Sequence, residues 1–155
     1  MKRFVIFLLP CLFLGACLTE PKQCVSNPSN PATETFAASL GVNLDSMNLT
    51  AAGDYTQDLV TGTGAQLDSL QTVQIHYTAY LVNGTMVDQV IDQPFPIDLS
   101  RTATPGLADG MLGMLEGGTR LIVVPSQLAL GPCPNGPVPG NSTLIYKVDL
   151  LQIGL

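Results

Sequence analysis

Residues 72–81, TVQIHYTAYL, alternate without a break. Val73, Ile75, Tyr77, Ala79 and Leu81 fall on one side of an extended chain, and Thr72, Gln74, His76, Thr78 and Tyr80 on the other. Asn83-Gly84 follows, a strong short-range hairpin signal. TMVDQV (85–90) then returns as a second strand. A long strand with one apolar face, closed by a tight hairpin, commits the chain to an antiparallel sheet packed on that face. TLIYKVDLL (143–151) repeats the alternation with Leu144, Tyr146, Val148 and Leu150 inward. TRLIVVP (119–125) is a β-branched run suited to a buried strand, and YTQDLVTG (55–62) is a weaker strand.

Between these strands, TPGLADGMLGMLEGG (104–118) has helical spacing built from poor helix formers. Thr104 is placed as N-cap, Pro105 as the first helical residue, and Asp109 as a complement to the macrodipole. Leu107, Met111 and Met114 form a core-facing stripe, with Gly106, Gly110 and Gly113 one position earlier. Each glycine costs about 1 kcal/mol of helix propensity relative to alanine. Such a helix persists only against a surface it approaches closely, so it is expected to lie across the concave face of the sheet and to end at Gly117-Gly118. Five strands and one short helix make the fold α+β.

The N-terminal residues read as a leader. Lys2 and Arg3 precede the apolar run from Phe4 to Leu14, which is too short to span a bilayer as a mature helix. Leu14-Gly15-Ala16-Cys17 resembles the bacterial lipobox, in which the cysteine is acylated and becomes the new N-terminus; an ordinary secretory signal is the alternative. Residues 1–16 are thus expected to be a lipoprotein signal peptide, 17–35 a flexible tether rich in Pro, Ser, Asn and Thr, 36–52 a short helical lead-in, and 53–155 the folded domain. The expected location is the cell envelope, anchored by lipid and facing the periplasm. Without residues 1–16, four basic side chains face twelve acidic ones, a net charge of −8. That charge repels nucleic acid and gains nothing from anionic headgroups, which leaves the acyl chains as the membrane attachment. In an oxidising compartment Cys24 and Cys133 are a candidate disulfide; two free thiols, or a metal site lacking other ligands, are the competing readings. With His76 the only histidine and no CxxC, the residues offer no zinc centre, and no metal is expected.

Several blocks occur together in a telling order: HYTAYLVNGTMVD, QPF, PGLADGMLGM, LALG and GPVPGNSTLIYKVDLL. In their order and spacing, from about residue 53 to the C-terminus, the chain resembles the FKBP-type peptidyl-prolyl isomerases. The resemblance implies a twisted five-stranded antiparallel sheet wrapped around one short helix, with an active pocket between them. It implies no cofactor, a monomer, and proline-containing unfolded segments of exported proteins as partners. Tyr77 and Asp88 match the family's catalytic pair, Phe95 a wall aromatic, and Val138 an aliphatic of the covering loop. Tyr146 stands where a wall phenylalanine is usual, Val87 where phenylalanine precedes the Asp, and Leu130 where a tyrosine is usual. Leu107 replaces the floor tryptophan, and Thr104 an aliphatic before the helix. These exchanges keep the pocket apolar but remove flat stacking surface, which implies slower turnover; the alternative function is a non-catalytic chaperone or peptide binder. The duller readings of the same residues are a core tyrosine for Tyr77 and a turn residue for Asp88. His76 reads as structural, Arg120 as an ion-pair partner, and Met111 and Met114 as core.

Overall fold

The computed structural model describes residues 23–101 and 104–154. The expected signal peptide, the acylated Cys17 and the start of the tether lie outside the described residues. Six strands are formed: β1 (Asn48–Leu49), β2 (Tyr55–Val60), β3 (Thr72–Leu81), β4 (Met86–Asp98), β5 (Thr119–Val124) and β6 (Leu144–Ile153). They make one sheet in the order β1-β2-β5-β6-β3-β4, with every neighbouring pair antiparallel. The expected five strands are present, and β1 is a sixth, drawn from the lead-in. That lead-in is helical in short pieces only, and not α-helical. It forms two single 3₁₀ turns, Ala38–Leu40 and Leu44–Ser46, the first stopped by Gly41 at φ 66° and the second begun by the Asn43 side chain accepting from the Asp45 N–H.

The sheet has two buried faces. Val73, Ile75 and Ala79 of β3, Ile122 and Val124 of β5, and Tyr146, Val148 and Leu150 of β6 pack with the helix on the concave side. Leu121, Val123 and Ile145 point the other way, into a second cluster with Phe36, Leu40, Val42, Leu44 and Met47 of the lead-in. β5 is therefore covered on both sides, which is why its sequence is an unbroken apolar run while β3 alternates.

The helix, α1 (Pro105–Met111), is shorter than its sequence pattern. It stops because Gly113 takes φ 78° just beyond the C-cap Leu112, so Gly117-Gly118 belong to a later turn. Thr104 occupies the N-cap position, but its side chain makes no capping bond, and Asp109 lies beyond the first turn. A Cβ on Gly106 would collide with Val124 and Asp54, and one on Gly110 with Ile122; these two glycines set the contact of α1 with β5. Arg120 on β5 ties the helix end to the sheet. Its guanidinium holds Asp58 of β2 in two hydrogen bonds, at 2.6 and 3.2 Å, and donates to the carbonyls of Gly110 and Leu112 at 3.0 and 2.8 Å.

Candidate active site

Between α1 and the concave sheet lies a cavity of about 420 Å³. Leu107 of α1 meets Ala79 of β3 and Leu144 of β6 at its base, Tyr77 and Tyr146 form aromatic walls, and Thr104 stands at the helix entrance. β4 supplies Val87, Asp88 and Ile97. Consecutive strand residues ordinarily face opposite ways, but the register of β4 slips here: Asp88 pairs with Ala79 while Met86 pairs with Tyr80. The extra residue in β4 lets Val87 and Asp88 line the same cavity. The last wall is the loop between β5 and β6, which contributes Leu130 and the turn from Asn135 to Val138. That turn is a small hairpin closed by reciprocal backbone bonds of 2.9 and 3.0 Å, with Gly136 at φ 55°.

The polar groups are few and convergent. The Tyr77 hydroxyl donates to Asp88 Oδ2 at 2.6 Å. Burial, then the bond to the Asp88 carboxylate, raises the Tyr77 phenol well above the ordinary tyrosine range. Burial likewise pushes Tyr146 up to about 12, with the Thr104 hydroxyl pulling it down and the Asp88 charge adding to the rise. Both phenols stay protonated at any physiological pH and act as hydrogen-bonding groups, not bases. Tyr77 meets Tyr146 with ring centroids 6.4 Å apart and planes tilted by 57°, so the two rings present adjoining aromatic faces at an angle.

Of the residues singled out in the sequence, Tyr77, Val87, Asp88, Thr104, Leu107, Leu130, Val138 and Tyr146 come together around this cavity. Phe95 does not line it. It sits on the edge strand, 41% exposed, and contributes only an edge-on contact to Tyr77 at 6.4 Å between centroids. Ile97 takes the place beside the cavity that Phe95 was expected to fill. Asn135 and Gly136 were not singled out; Pro137 stands with Pro132, Pro134 and Pro139 as the signal in the sequence that this loop is stiff enough to be a wall. Met111 and Met114 are core, and Arg120 is an ion-pair partner, as their positions in the sequence suggest. Cys24 and Cys133 are joined in a disulfide, Cα–Cα 5.1 Å. Among the described residues, no group of three or more His, Cys, Asp or Glu side chains is placed to hold a metal ion.

An apolar cavity with two neutral phenols and one carboxylate has no nucleophile–base pair. It can bind an apolar ring flanked by carbonyl groups, and it can favour a less polar form of what it binds. A family model described as FKBP-type peptidyl-prolyl cis-trans isomerase matches residues 64–151. An FK506-binding protein of Neisseria meningitidis serogroup B is 33% identical over 105 residues, covering 65% of this chain and 96% of that protein. The mouse peptidyl-prolyl cis-trans isomerase FKBP2 is 39% identical over 85 residues, covering 52% of this chain and 61% of the other. Among solved structures, FkpA from Escherichia coli superposes with a TM-score of 0.63 at 28% identity, over 68% of this chain and 50% of that one. A Pseudomonas syringae peptidyl-prolyl isomerase shares the fold with a TM-score of 0.64 at 24% identity, over 70% and 81% of the two chains.

Proposed function

The chain belongs to the FKBP-type peptidyl-prolyl cis-trans isomerases and is an enzyme of that activity, and we propose on this premise how its own cavity performs the rotation and where. The X-Pro bond is held planar by amide resonance, with a barrier of about 18–20 kcal/mol. A twisted amide has lost that resonance and the charge separation that goes with it, so a water-poor cavity stabilises it relative to both planar forms. The proline ring sits over Leu107, between Tyr77 and Tyr146, and Val87 and Val138 exclude water from its sides. Tyr77, fixed by Asp88, presents its oxygen at a set angle, while the Tyr146 hydroxyl is directed to a substrate carbonyl. The observation that carries this reading is the Tyr77–Asp88 pair, a 2.6 Å bond at the edge of an otherwise apolar cavity.

Rotation is measured by protease-coupled or NMR exchange assay on a Leu-Pro tetrapeptide, using oxidised residues 18–155. Tyr77→Phe and Asp88→Val are expected to lower kcat/KM about 10-fold each, the loss of roughly one hydrogen-bonding interaction at the transition state. Acceleration unchanged in both variants removes these residues from the site.

The clients are proline-containing segments of exported polypeptides, and the enzyme acts as a monomer held at the envelope membrane through acylated Cys17. The support for this placement is the basic start, the apolar run and the Leu14-Gly15-Ala16-Cys17 sequence.

A further inference from the structure

The composition of residues 17–35 predicts a free tether, yet from Cys24 onward the chain is fastened, and what it fastens is the loop that walls the cavity. Ser29 holds both roots of that loop. Its N–H donates to Ser126 Oγ and its Oγ accepts from the Ser126 N–H, each at 2.8 Å, while Thr143 Oγ1 donates to Ser29 Oγ at 2.7 Å. Ser126 opens the loop and Thr143 closes it, and each is 1% exposed. Further out, Asn141 on the returning leg donates to the Val25 carbonyl at 3.0 Å and accepts from the Asn27 N–H at 2.9 Å. Asn141 holds φ 60°, a conformation non-glycine residues seldom adopt, and these two bonds secure it. Cys133 on the outgoing leg is bonded to Cys24. Cys133 lies two residues before Asn135, where the cavity-lining hairpin begins.

Residues 24–29 belong to neither apolar cluster of the domain. Their hydrogen bonds are exposed or part-buried, so each competes with water and contributes little alone. Such a strap frays unless it is covalently closed, and the Cys24–Cys133 bond closes it. From this arrangement we propose that residues 24–29 are a positioning strap for the isomerase: they hold the Asn135–Val138 wall in its substrate-binding position, and the disulfide sets how firmly. The proposal rests on the isomerase reading of the cavity. When the bond is opened, a dithiol supplies two electrons and two protons, Cys24 and Cys133 become thiols, and the dithiol becomes a cyclic disulfide. The core is untouched, but the wall samples open positions, and the apparent affinity falls by the fraction of time it spends in place.

The test compares the oxidised protein with the same protein reduced by dithiothreitol and with the Cys24→Ser/Cys133→Ser double variant, at a temperature where circular dichroism shows all three folded. KM for the Leu-Pro peptide is expected to rise about three- to tenfold with kcat little changed, and amide exchange at Asn135 and Val138 to quicken. Ser29→Ala should give a smaller change in the same direction and Ser29→Thr should restore it, which a merely structural cysteine pair does not predict. Equal KM and equal exchange at Asn135 and Val138 in folded oxidised and reduced protein overturn the proposal. If the oxidised protein shows no rotation at all, it is the function that fails; the strap is then judged by the same exchange rates and by peptide titration of the oxidised and reduced forms.

Discussion

Asp54 is fully buried just before β2, and neither of its carboxylate oxygens has a hydrogen-bond partner among the described residues. It lies against Gly106 in the first turn of α1, in space that only a glycine leaves open. Burial, with the Asp109 charge adding to it, pushes the Asp54 carboxyl up from 3.8 to about 7. The folded chain therefore binds this proton more tightly than the unfolded chain does. The stability linked to it is complete below the ordinary carboxylate value and is lost as pH rises through about 7. Chemical denaturation should show the protein about 2–3 kcal/mol more stable at pH 5 than at pH 8 from this group. Asp54→Asn changes this one titrating group, so it isolates the effect by flattening the profile. An unchanged slope in Asp54→Asn would assign the pH dependence elsewhere. In the sequence, Asp54 reads only as a polar residue after Gly53; its burial depends on a helix fifty residues away and had no local signal. Tyr77 and Asp88 were legible by another route, because the block HYTAYLVNGTMVD that carries both resembles the family's.

At the scale of elements, alternation and turn chemistry located the strands well, because a half-buried strand must alternate and an Asn-Gly turn must close a hairpin. The glycine stripe of α1 was legible as close approach, but its three members do different things. Gly106 and Gly110 make room for Val124, Asp54 and Ile122, whereas Gly113 faces no close neighbour and supplies a left-handed turn that ends the helix. Helix propensity alone predicts that alanine stabilises the first two positions; the packing predicts the reverse. Gly106→Ala and Gly110→Ala are each expected to lower stability by about 1–3 kcal/mol through overpacking. Thermal melts in which either variant is more stable than the parent contradict the close contact. The slip in β4 that turns both Val87 and Asp88 inward was not legible, since a bulge is decided by pairing and not by the residues of one strand. The lead-in's helical character takes the form of separate 3₁₀ turns for a related reason. Its apolar residues are spaced for a helix, but Gly41 and Asn43 break it into single turns, and the second face of the sheet gives those turns something to cover.

At the scale of the whole molecule, the disulfide changes what the N-terminal residues do. A tether free up to residue 35 would let the domain range about 65 Å from an acylated Cys17, whereas fastening at Cys24 leaves seven chain steps, a reach of at most about 25 Å. The anchor itself is tested by labelling cells with an azido-palmitate. Label is expected on the protein and absent from Cys17→Ser, which should also leave the membrane fraction; label retained in Cys17→Ser, or absent from both, removes the anchor. By itself the sequence determined the strands, the hairpin and the close-packed helix, because periodicity, turn chemistry and glycine spacing are local consequences of backbone geometry; most residues of the cavity were reached only through the family resemblance of its sequence blocks. Only the tertiary structure decided that both faces of the sheet are covered, that Asp54 is buried against α1, that Phe95 stands beside the cavity and Ile97 against it, and that a polar strap clasps both ends of the cavity's loop. Those features depend on contacts between residues far apart in the chain, and no local pattern encodes which distant surfaces will meet.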